Sequence, residues 1–227
     1  MVIGADRISL GIARHWLLLL NLFIFLYLGL PFLAPILMEV GITGPAHVIY
    51  TIYSGLCHQL GFRSEFLFGQ QFTYPRAVFQ QFTGINGNDL FGARAFIGNA
   101  QLGWKVAFCE RDVAIYGAIL LGGLVFALPP VRRRLGPLPW WAYVVFGVAP
   151  IAIDGFSQLF SQYPYNLLPL FNLLPYREST LFLRTLTGGL FGLANAWLAM
   201  PYLAASMAEM RLQLENRLAK VDAPRPA

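Results

Sequence analysis

Residues 16–38 read WLLLLNLFIFLYLGLPFLAPILM, a run without a single charged side chain. As an α-helix this run would be about 35 Å long, enough to cross the roughly 30 Å hydrocarbon core of a bilayer. Pro31 and Pro35 stand near its end, and we expect them to kink its last turns. The stretch therefore predicts a first membrane-spanning helix.

The composition of the whole chain agrees with a membrane protein. Hydrophobic residues make up 57% of the 227 residues and charged residues only 12%, with a mean hydropathy of +0.57. Soluble domains carry about 25% charged residues. Much of the net charge of +5 lies beside apolar runs, where basic residues set topology and meet anionic lipid. The sequence contains no nucleic-acid motif, so the lipid bilayer is the expected partner and nucleic acid is not.

Three further apolar runs, at residues 113–128, 140–160 and 181–203, predict three more spans. The segment 45–60 is shorter and has a histidine near each end, so we expect an interfacial or re-entrant helix there. The predicted fold class is therefore all-α. It is a polytopic helical membrane protein, with about four transmembrane helices in a single membrane domain over residues 1–227.

A long polar and aromatic insert, residues 61–111, separates the short helix from the second span. It is too long to be an ordinary loop, so it should have structure of its own. We expect short surface helices near residues 75–82 and 90–108.

Basic residues in short flanking segments predict the orientation in the membrane. The turn at residues 132–134 is Arg-Arg-Arg, and the tail at residues 204–227 is rich in charge, so both are expected in the cytoplasm. Arg7 and Arg14 favour a cytoplasmic N-terminus as well. The insert and both cysteine motifs then lie at the outer face.

The chain has two cysteines, and each stands where an apolar run meets a polar segment. Cys57 is followed by His58, and Cys109 is followed three residues later by Asp112. Thiolate, imidazole and carboxylate groups are ligands for zinc and other transition metals. One hypothesis is a zinc or iron site formed by these four residues. A disulfide between the cysteines and two buried thiols without further function are the open alternatives.

A second group of polar residues belongs to the predicted third and fourth spans. Asp154 and Gln158 are four residues apart and share a helix face. A carboxylate within a span costs several kcal/mol unless it is paired. Arg177, Glu178 and Arg184 follow in the sequence. An ion pair between Asp154 and Arg184 is the simple structural explanation, and a polar pocket formed by these five residues is the functional one.

Several of these residues belong to short motifs that follow one another in a fixed order. They are Cys-His-Gln with a following Arg-Ser, then Cys-x-Arg leading into Ile-Tyr-Gly, then Asp-Gly-x-x-Gln, and finally Arg-Glu-Ser with a nearby Arg and Thr-Gly. In this order they resemble DUF2085, a family of bacterial and archaeal membrane proteins, over about residues 49–192. The matching positions are Cys57, His58, Gln59, Arg63, Ser64, Cys109, Arg111, Ile115, Tyr116, Gly117, Asp154, Gly155, Gln158, Arg177, Glu178, Ser179, Arg184, Thr187 and Gly188.

The resemblance implies a metal or redox cluster in relatives, which typically carry Cys-x-Arg-Cys where this chain has Cys109-Glu110-Arg111-Asp112. Asp112 then replaces a thiolate by an oxygen donor. The gap between the first two motifs is longer than the family pattern, and the additional residues, about 71–101, are expected to dock a partner. The resemblance also implies a prokaryotic cytoplasmic membrane, and it implies no particular activity.

Three functional hypotheses follow. The first is an accessory or scaffold subunit of a larger membrane complex, with a Cys/His structural metal or a disulfide at the outer face. It is expected because the sequence lacks a complete catalytic constellation and has a long aromatic insert suited to docking. The second is an integral-membrane metalloenzyme acting on a lipid-soluble substrate such as a quinone or a prenyl lipid. The third is a small transporter with Asp154 as the coupling carboxylate.

Overall fold

The structure, a computed structural model, describes the backbone of residues 2–162, 167 and 175–222 and the side chains of residues 4–162, 167 and 175–220. Residues 223–227 of the predicted tail lie outside the described residues. The elements in chain order are α1 (Val2–Glu39), α2 (Thr43–Ser54), β1 (Ser64–Leu67), α3 (Arg76–Thr83), α4 (Leu90–Ala95), β2 (Gly98–Asn99), β3 (Gly103–Cys109), α5 (Glu110–Ala127), α6 (Pro129–Arg134), α7 (Trp140–Ala142), α8 (Ala149–Phe160) and α9 (Leu181–Asp222).

Within the part of the chain that the structure describes, three helical segments are long and apolar enough to cross a membrane: Gly4–Glu39, Trp140–Phe160 and Leu181–Lys220. They correspond to the predicted first, third and fourth spans, although the first begins earlier and the last ends later than expected. Much of their surface is exposed Leu, Ile and Phe, as expected for helices whose solvent is lipid. These segments support a helical membrane protein.

The predicted second span corresponds to α5, which is not one of these three segments. Its first turn carries Glu110, Arg111 and Asp112, which leaves the residues from 113 to 127 as its apolar part. That part is about 22 Å long, less than the roughly 30 Å of hydrocarbon. Four spans are therefore not confirmed, and the second predicted span stays a prediction.

The predicted short helix at residues 45–60 is α2, which has 12 residues and ends at Ser54. At about 18 Å it is too short to cross a bilayer. Its buried face carries Ala46, Tyr50 and Tyr53, which belong to a core shared with α1 and β3. This packing brings residue 57, just beyond the helix, next to the end of β3.

The segment Trp140–Phe160 is α-helical at both ends and π-helical in between. A π-helical stretch, Tyr143–Val148, joins α7 to α8. Pro150 follows directly in the first turn of α8, and proline has no N–H with which to continue the α-helical ladder. The wide turn accommodates this loss, and it also changes the angle at which the side chains of α8 leave the helix relative to those of α7.

Helices α5 and α9 pack closely because α9 presents two glycines, Gly188 and Gly192, four residues apart. A Cβ atom at Gly188 would lie 2.9 Å from the carbonyl oxygen of Arg111, and one at Gly192 would lie well inside van der Waals contact distance of the carbonyl oxygen of Ile115. Small residues at this spacing let two helix backbones approach in a membrane. These contacts give the two glycines a packing role between α5 and α9.

We expect Gly192→Ala to destabilise the protein by about 1–3 kcal/mol, because the added methyl group must push the two backbones apart. Gly189→Ala is the matched control, since a Cβ there meets nothing within 4 Å. Thermal unfolding in detergent is the measurement. Equal melting temperatures for the two variants would contradict this account of the contact.

The insert contains a three-stranded antiparallel sheet in the order β1-β3-β2, so the all-α prediction is wrong in this region. The helix predicted near residues 75–82 is present as α3, and the one predicted at 90–108 is limited to the six residues of α4. Strands β2 and β3 form in the rest of the stretch that was predicted as a helix. The sequence of β3, GWKVAFC, is rich in aromatic and β-branched residues. Gly103 begins the strand with φ of +77° against the Leu67 carbonyl, where a Cβ has no room.

The insert has a core of its own, separate from the core under α1 and α2. Seven buried residues form it: Leu60, Phe62, Phe66, Tyr74, Phe79, Ala93 and Leu102. The insert is therefore a small α/β unit that ends, through β3, directly in the first turn of α5.

Candidate functional site

Three of the four predicted metal ligands lie together. The Sγ atoms of Cys57 and Cys109 and a carboxylate oxygen of Asp112 are all within 4.8 Å of one another. The Sγ of Cys109 is 3.1 Å from Oδ2 of Asp112. Both cysteines are free thiols in this structure. Tetrahedral zinc with two sulfur ligands and one oxygen ligand needs donors about 3–4 Å apart, so this group fits such an ion with a small adjustment.

The two cysteines meet because Gln59 joins their segments. Its side-chain Nε2 donates to the carbonyl oxygens of Tyr50 (3.1 Å) and Ala107 (3.0 Å). Cys57 precedes Gln59 by two residues and Cys109 follows Ala107 by two, so this bond aligns both thiols. Gln59 has a φ of +49°, a backbone conformation that residues other than glycine rarely adopt.

A buried lysine supports the same loop. Lys105 is fully buried in β3, and its Nζ donates to the carbonyl oxygens of Gln59 (2.7 Å) and Arg94 (2.8 Å). Burial lowers the pKa of Lys105 to about 7. No role is predicted for this lysine, because residue 105 falls in the stretch expected to form a short surface helix, where a lysine normally faces solvent.

The fourth predicted ligand, His58, is exposed, and its ring is not among the donor atoms that cluster. It lies on the rim of the cavity that the other three residues line. The structure therefore brings together a Cys-Cys-Asp group and leaves the histidine beside it.

Asp112 occupies the first turn of α5, where the helix dipole favours a carboxylate. Hydrogen bonding to the Cys57 thiol, together with burial, raises the pKa of the Cys109 thiol well above its usual range. A divalent cation between the sulfurs would reverse this effect, because a coordinated thiol loses its proton.

A cavity of about 380 Å³ connects the Cys-Cys-Asp group to the second predicted group. Besides the cysteines, His58 and Asp112, its wall includes Arg63, Arg111, Gln158 and Arg184. Two of the five residues of the predicted polar pocket, Gln158 and Arg184, thus face the same cavity as the Cys-Cys-Asp group, whereas the other three are not among the residues that line it. Arg63 and Arg111 were not predicted as members of the polar pocket, although both stand in the motifs shared with DUF2085.

The predicted ion pair between Asp154 and Arg184 is wrong. Asp154 is paired with Arg111 and with Arg177 (2.7 Å), and both of its oxygens accept from the hydroxyl of Ser179 (2.8 and 2.9 Å). The side chain of Asp154 is only 4% exposed. Its carboxylate faces the N-terminal turn of α5, which supplies Arg111, and hydrogen bonds from Arg111, Arg177 and Ser179 offset the cost of its burial.

Arg184 pairs instead with two glutamates, Glu110 (3.0 Å) and Glu178. Its side chain is 5% exposed and that of Glu110 is 3% exposed, so this is a buried ion pair between α5 and α9. The sequence signal for it was weak, because Glu110 stands at the edge of an apolar run, where charged residues are ordinary.

Glu178 is the acceptor on which the polar network converges. Its carboxylate accepts from Arg63 (2.8 Å), from the amides of Gln158 (2.8 Å) and Gln162 (3.0 Å), and from Arg184. Arg76 of α3 adds an ion pair at 3.3 Å. Glu178 therefore ties α8, α9 and the insert together around the cavity.

The sequence can now be compared with known proteins. The family DUF2085, described as a predicted membrane protein, matches residues 94–198. This match confirms the resemblance to DUF2085 over residues 94–198. Cys109, Asp112, Asp154 and Arg184 all lie within the matched residues. Cys57 and His58 lie outside them, although the motif that contains these two residues was part of the predicted resemblance.

An uncharacterized protein of Methanocaldococcus jannaschii is 25% identical over 197 residues, covering 83% of this chain and 92% of the relative. The similarity to this archaeal protein extends over nearly the whole length of both chains. No solved structure matches the chain.

Proposed function

We propose that this protein is an integral-membrane metalloprotein whose metal, zinc or iron, is held by Cys57, Cys109 and Asp112 and serves a reaction on a lipid-soluble substrate. One observation carries the proposal: the three donors and three arginines line the same cavity of about 380 Å³. Structural zinc sites are closed by four protein ligands, whereas catalytic sites have three and an open position. Three clustered donors beside a cavity fit the second pattern.

The residues around the cavity suit a reaction that develops negative charge. Arg63, Arg111 and Arg184 are each ion-paired with a carboxylate, so their guanidinium groups are oriented before any ligand arrives. A bound zinc ion would supply a Lewis acid, and it would lower the pKa of coordinated water. Gln158 adds an amide to the same wall, and its Nε2 is already held by Glu178.

Metal content of the detergent-purified protein tests this proposal. We expect about one zinc or iron per chain, with two free thiols once the metal is removed and the protein denatured. Cys57→Ser and Cys109→Ser should each lose most of the metal. His58→Ala is the matched control, because His58 is exposed and outside the donor cluster, and it should retain the metal. Protein with no metal and no free thiols would contradict the proposal and establish a disulfide instead.

The accessory-subunit hypothesis remains a second candidate, favoured by the surface of the insert. Phe68 is 55% exposed, Phe72 is 51% exposed and Phe91 is 85% exposed. Exposed aromatic side chains in one small unit are typical of a surface that contacts a partner. Cross-linking in native membranes that recovers only this chain would contradict the accessory role and leave the metal proposal intact.

The contacts of Asp154 do not favour the transporter hypothesis. A coupling carboxylate has to exchange partners during transport, whereas Asp154 is held by two arginines and a serine. This arrangement gives Asp154 a structural explanation.

A further inference from the structure

A second cavity, of about 320 Å³, lies along α8 and shares part of its wall with the first. Arg63, Arg111 and Gln158 line both cavities. Elsewhere the second cavity is a groove with an apolar wall, formed by Ile151 and Phe156 and by other apolar side chains of α8. The groove therefore has one cationic end and one hydrocarbon-like side.

The polar end of the groove carries excess positive charge. Among the described residues, the ion pairs around the site join five arginines to three carboxylates, Glu110, Asp154 and Glu178, and Asp112 on the wall of the first cavity brings the carboxylates to four. The arginines are Arg63, Arg76, Arg111, Arg177 and Arg184. Such an excess in a partly buried place attracts an anion.

Arg111 supplies the most specific signal. Its Nη2 pairs with Asp154, but its Nε is buried and has no hydrogen-bond partner among the described residues. A buried donor without an acceptor is costly, and such groups are usually satisfied by water, an ion or a ligand. Arg111 lines both cavities, and its Nη1 lies beside Gly155 of the groove wall, so an acceptor in the groove is within reach of its guanidinium group through Nη1.

The apolar side of the groove is open toward lipid. It is part of Trp140–Phe160, one of the three segments long and apolar enough to span a membrane. Phe156 is 55% exposed and Leu159 is 42% exposed. A hydrocarbon chain lying along this side would therefore be reached from within the bilayer.

We propose that the groove binds a lipid with a phosphate headgroup, with the phosphate at Arg111 and Arg63 and the chain along Ile151, Phe156 and Leu159. Arginine is suited to phosphate because its planar fork donates several N–H bonds to neighbouring oxygens. This inference rests on the proposed function only in that the bound lipid would be the substrate of the proposed reaction. Binding itself requires the groove and the arginines and does not require the metal.

Gly155→Leu tests the groove while both residues of every ion pair around the site stay in place. A Cβ at Gly155 meets only Nη1 of Arg111, at an ordinary 3.5 Å, and the rest of the leucine would occupy the space beside it. Gly189→Leu is the matched control on α9, where nothing lies within 4 Å of the added Cβ. Binding of phosphatidylglycerol to the full-length protein in detergent, measured by native mass spectrometry, should be about tenfold weaker in Gly155→Leu and unchanged in Gly189→Leu. Arg63→Gln should also weaken it.

Three further measurements separate the possible ligands. Phosphatidylcholine, whose headgroup carries no net charge, should bind more weakly than phosphatidylglycerol, and equal binding would overturn the proposal. Inorganic phosphate and glycerol phosphate should displace the lipid poorly, because they lack the chain. Displacement at concentrations comparable to those of the lipid would assign the site to a free phosphate. Unchanged lipid binding in Gly155→Leu would place any bound lipid elsewhere.

Metal content is measured on the same samples. Lipid binding that is sensitive to Gly155→Leu in a protein without metal supports the groove and contradicts the proposed function. A normal metal content in Gly155→Leu, together with lost lipid binding, supports both. Metal in the wild-type protein with equal lipid binding by all variants contradicts the groove alone.

Discussion

Replacing Asp112 by cysteine will tighten zinc binding by at least about tenfold, and replacing it by alanine will weaken zinc binding by at least as much. A thiolate is a softer and stronger ligand for zinc than a carboxylate. Residue 112 lies one helical turn from Cys109 and 3.1 Å from its sulfur, so a third sulfur at this position would face the other two. Competition with a chromophoric chelator measures the affinity.

Glu209→Cys is the control for the added thiol, because Glu209 is an exposed residue on the C-terminal part of α9. It should leave the affinity unchanged. All affinities should rise with pH, since the thiols must lose their protons, and the pKa of Cys109 is raised in the metal-free protein. Identical affinities for Asp112→Cys, Asp112→Ala and the wild type would exclude Asp112 as a ligand.

The second large effect concerns protein stability. Arg184→Gln will reduce the free energy of unfolding by about 3–5 kcal/mol, because it leaves Glu110 buried without its partner. The double variant Glu110→Gln with Arg184→Gln should recover part of this loss, since neither residue of the pair is then charged. Chemical unfolding in detergent provides the measurement, and the double-mutant cycle gives the coupling energy.

The matched control for this pair is Arg14→Gln. Arg14 is ion-paired with Glu215 at 2.9 Å, but the two side chains are 51% and 35% exposed. Exposed pairs contribute about 1 kcal/mol or less, so this variant should unfold almost like the wild type. A loss in Arg184→Gln as small as that in Arg14→Gln would show that the buried pair is not needed for stability.

The membrane helices could be predicted from hydropathy because their apolar runs are long, and length is what a bilayer requires. The sheet was missed for a related reason. Strand β3 has 7 residues, and an apolar run of that length fits a buried strand and part of a helix equally well. Lys105 added to the ambiguity, because its burial depends on backbone carbonyls from two other segments.

The sequence predicted that Cys57, Cys109 and Asp112 lie together, but it did not predict which charged residues pair with each other. Asp154 and Arg184 were predicted to pair with each other, but each is ion-paired with other residues. Which faces of two helices meet depends on their rotation, and the π-helical stretch before α8 changes that rotation. Sequence spacing does not encode this angle, so Arg111 and Glu110 were not predicted as the partners.

The convergence on Glu178 has a consequence for how the protein is made. A ribosome delivers Arg63, Arg76, Gln158 and Gln162 well before Glu178, the residue that all four contact. Until then Arg63 and Arg76 lack the carboxylate that they share with Gln158 of α8. The cavity can be completed only after the connection that precedes α9 has been synthesised, and a chain arrested before that point would keep its thiols but lack both Glu178 and Arg184.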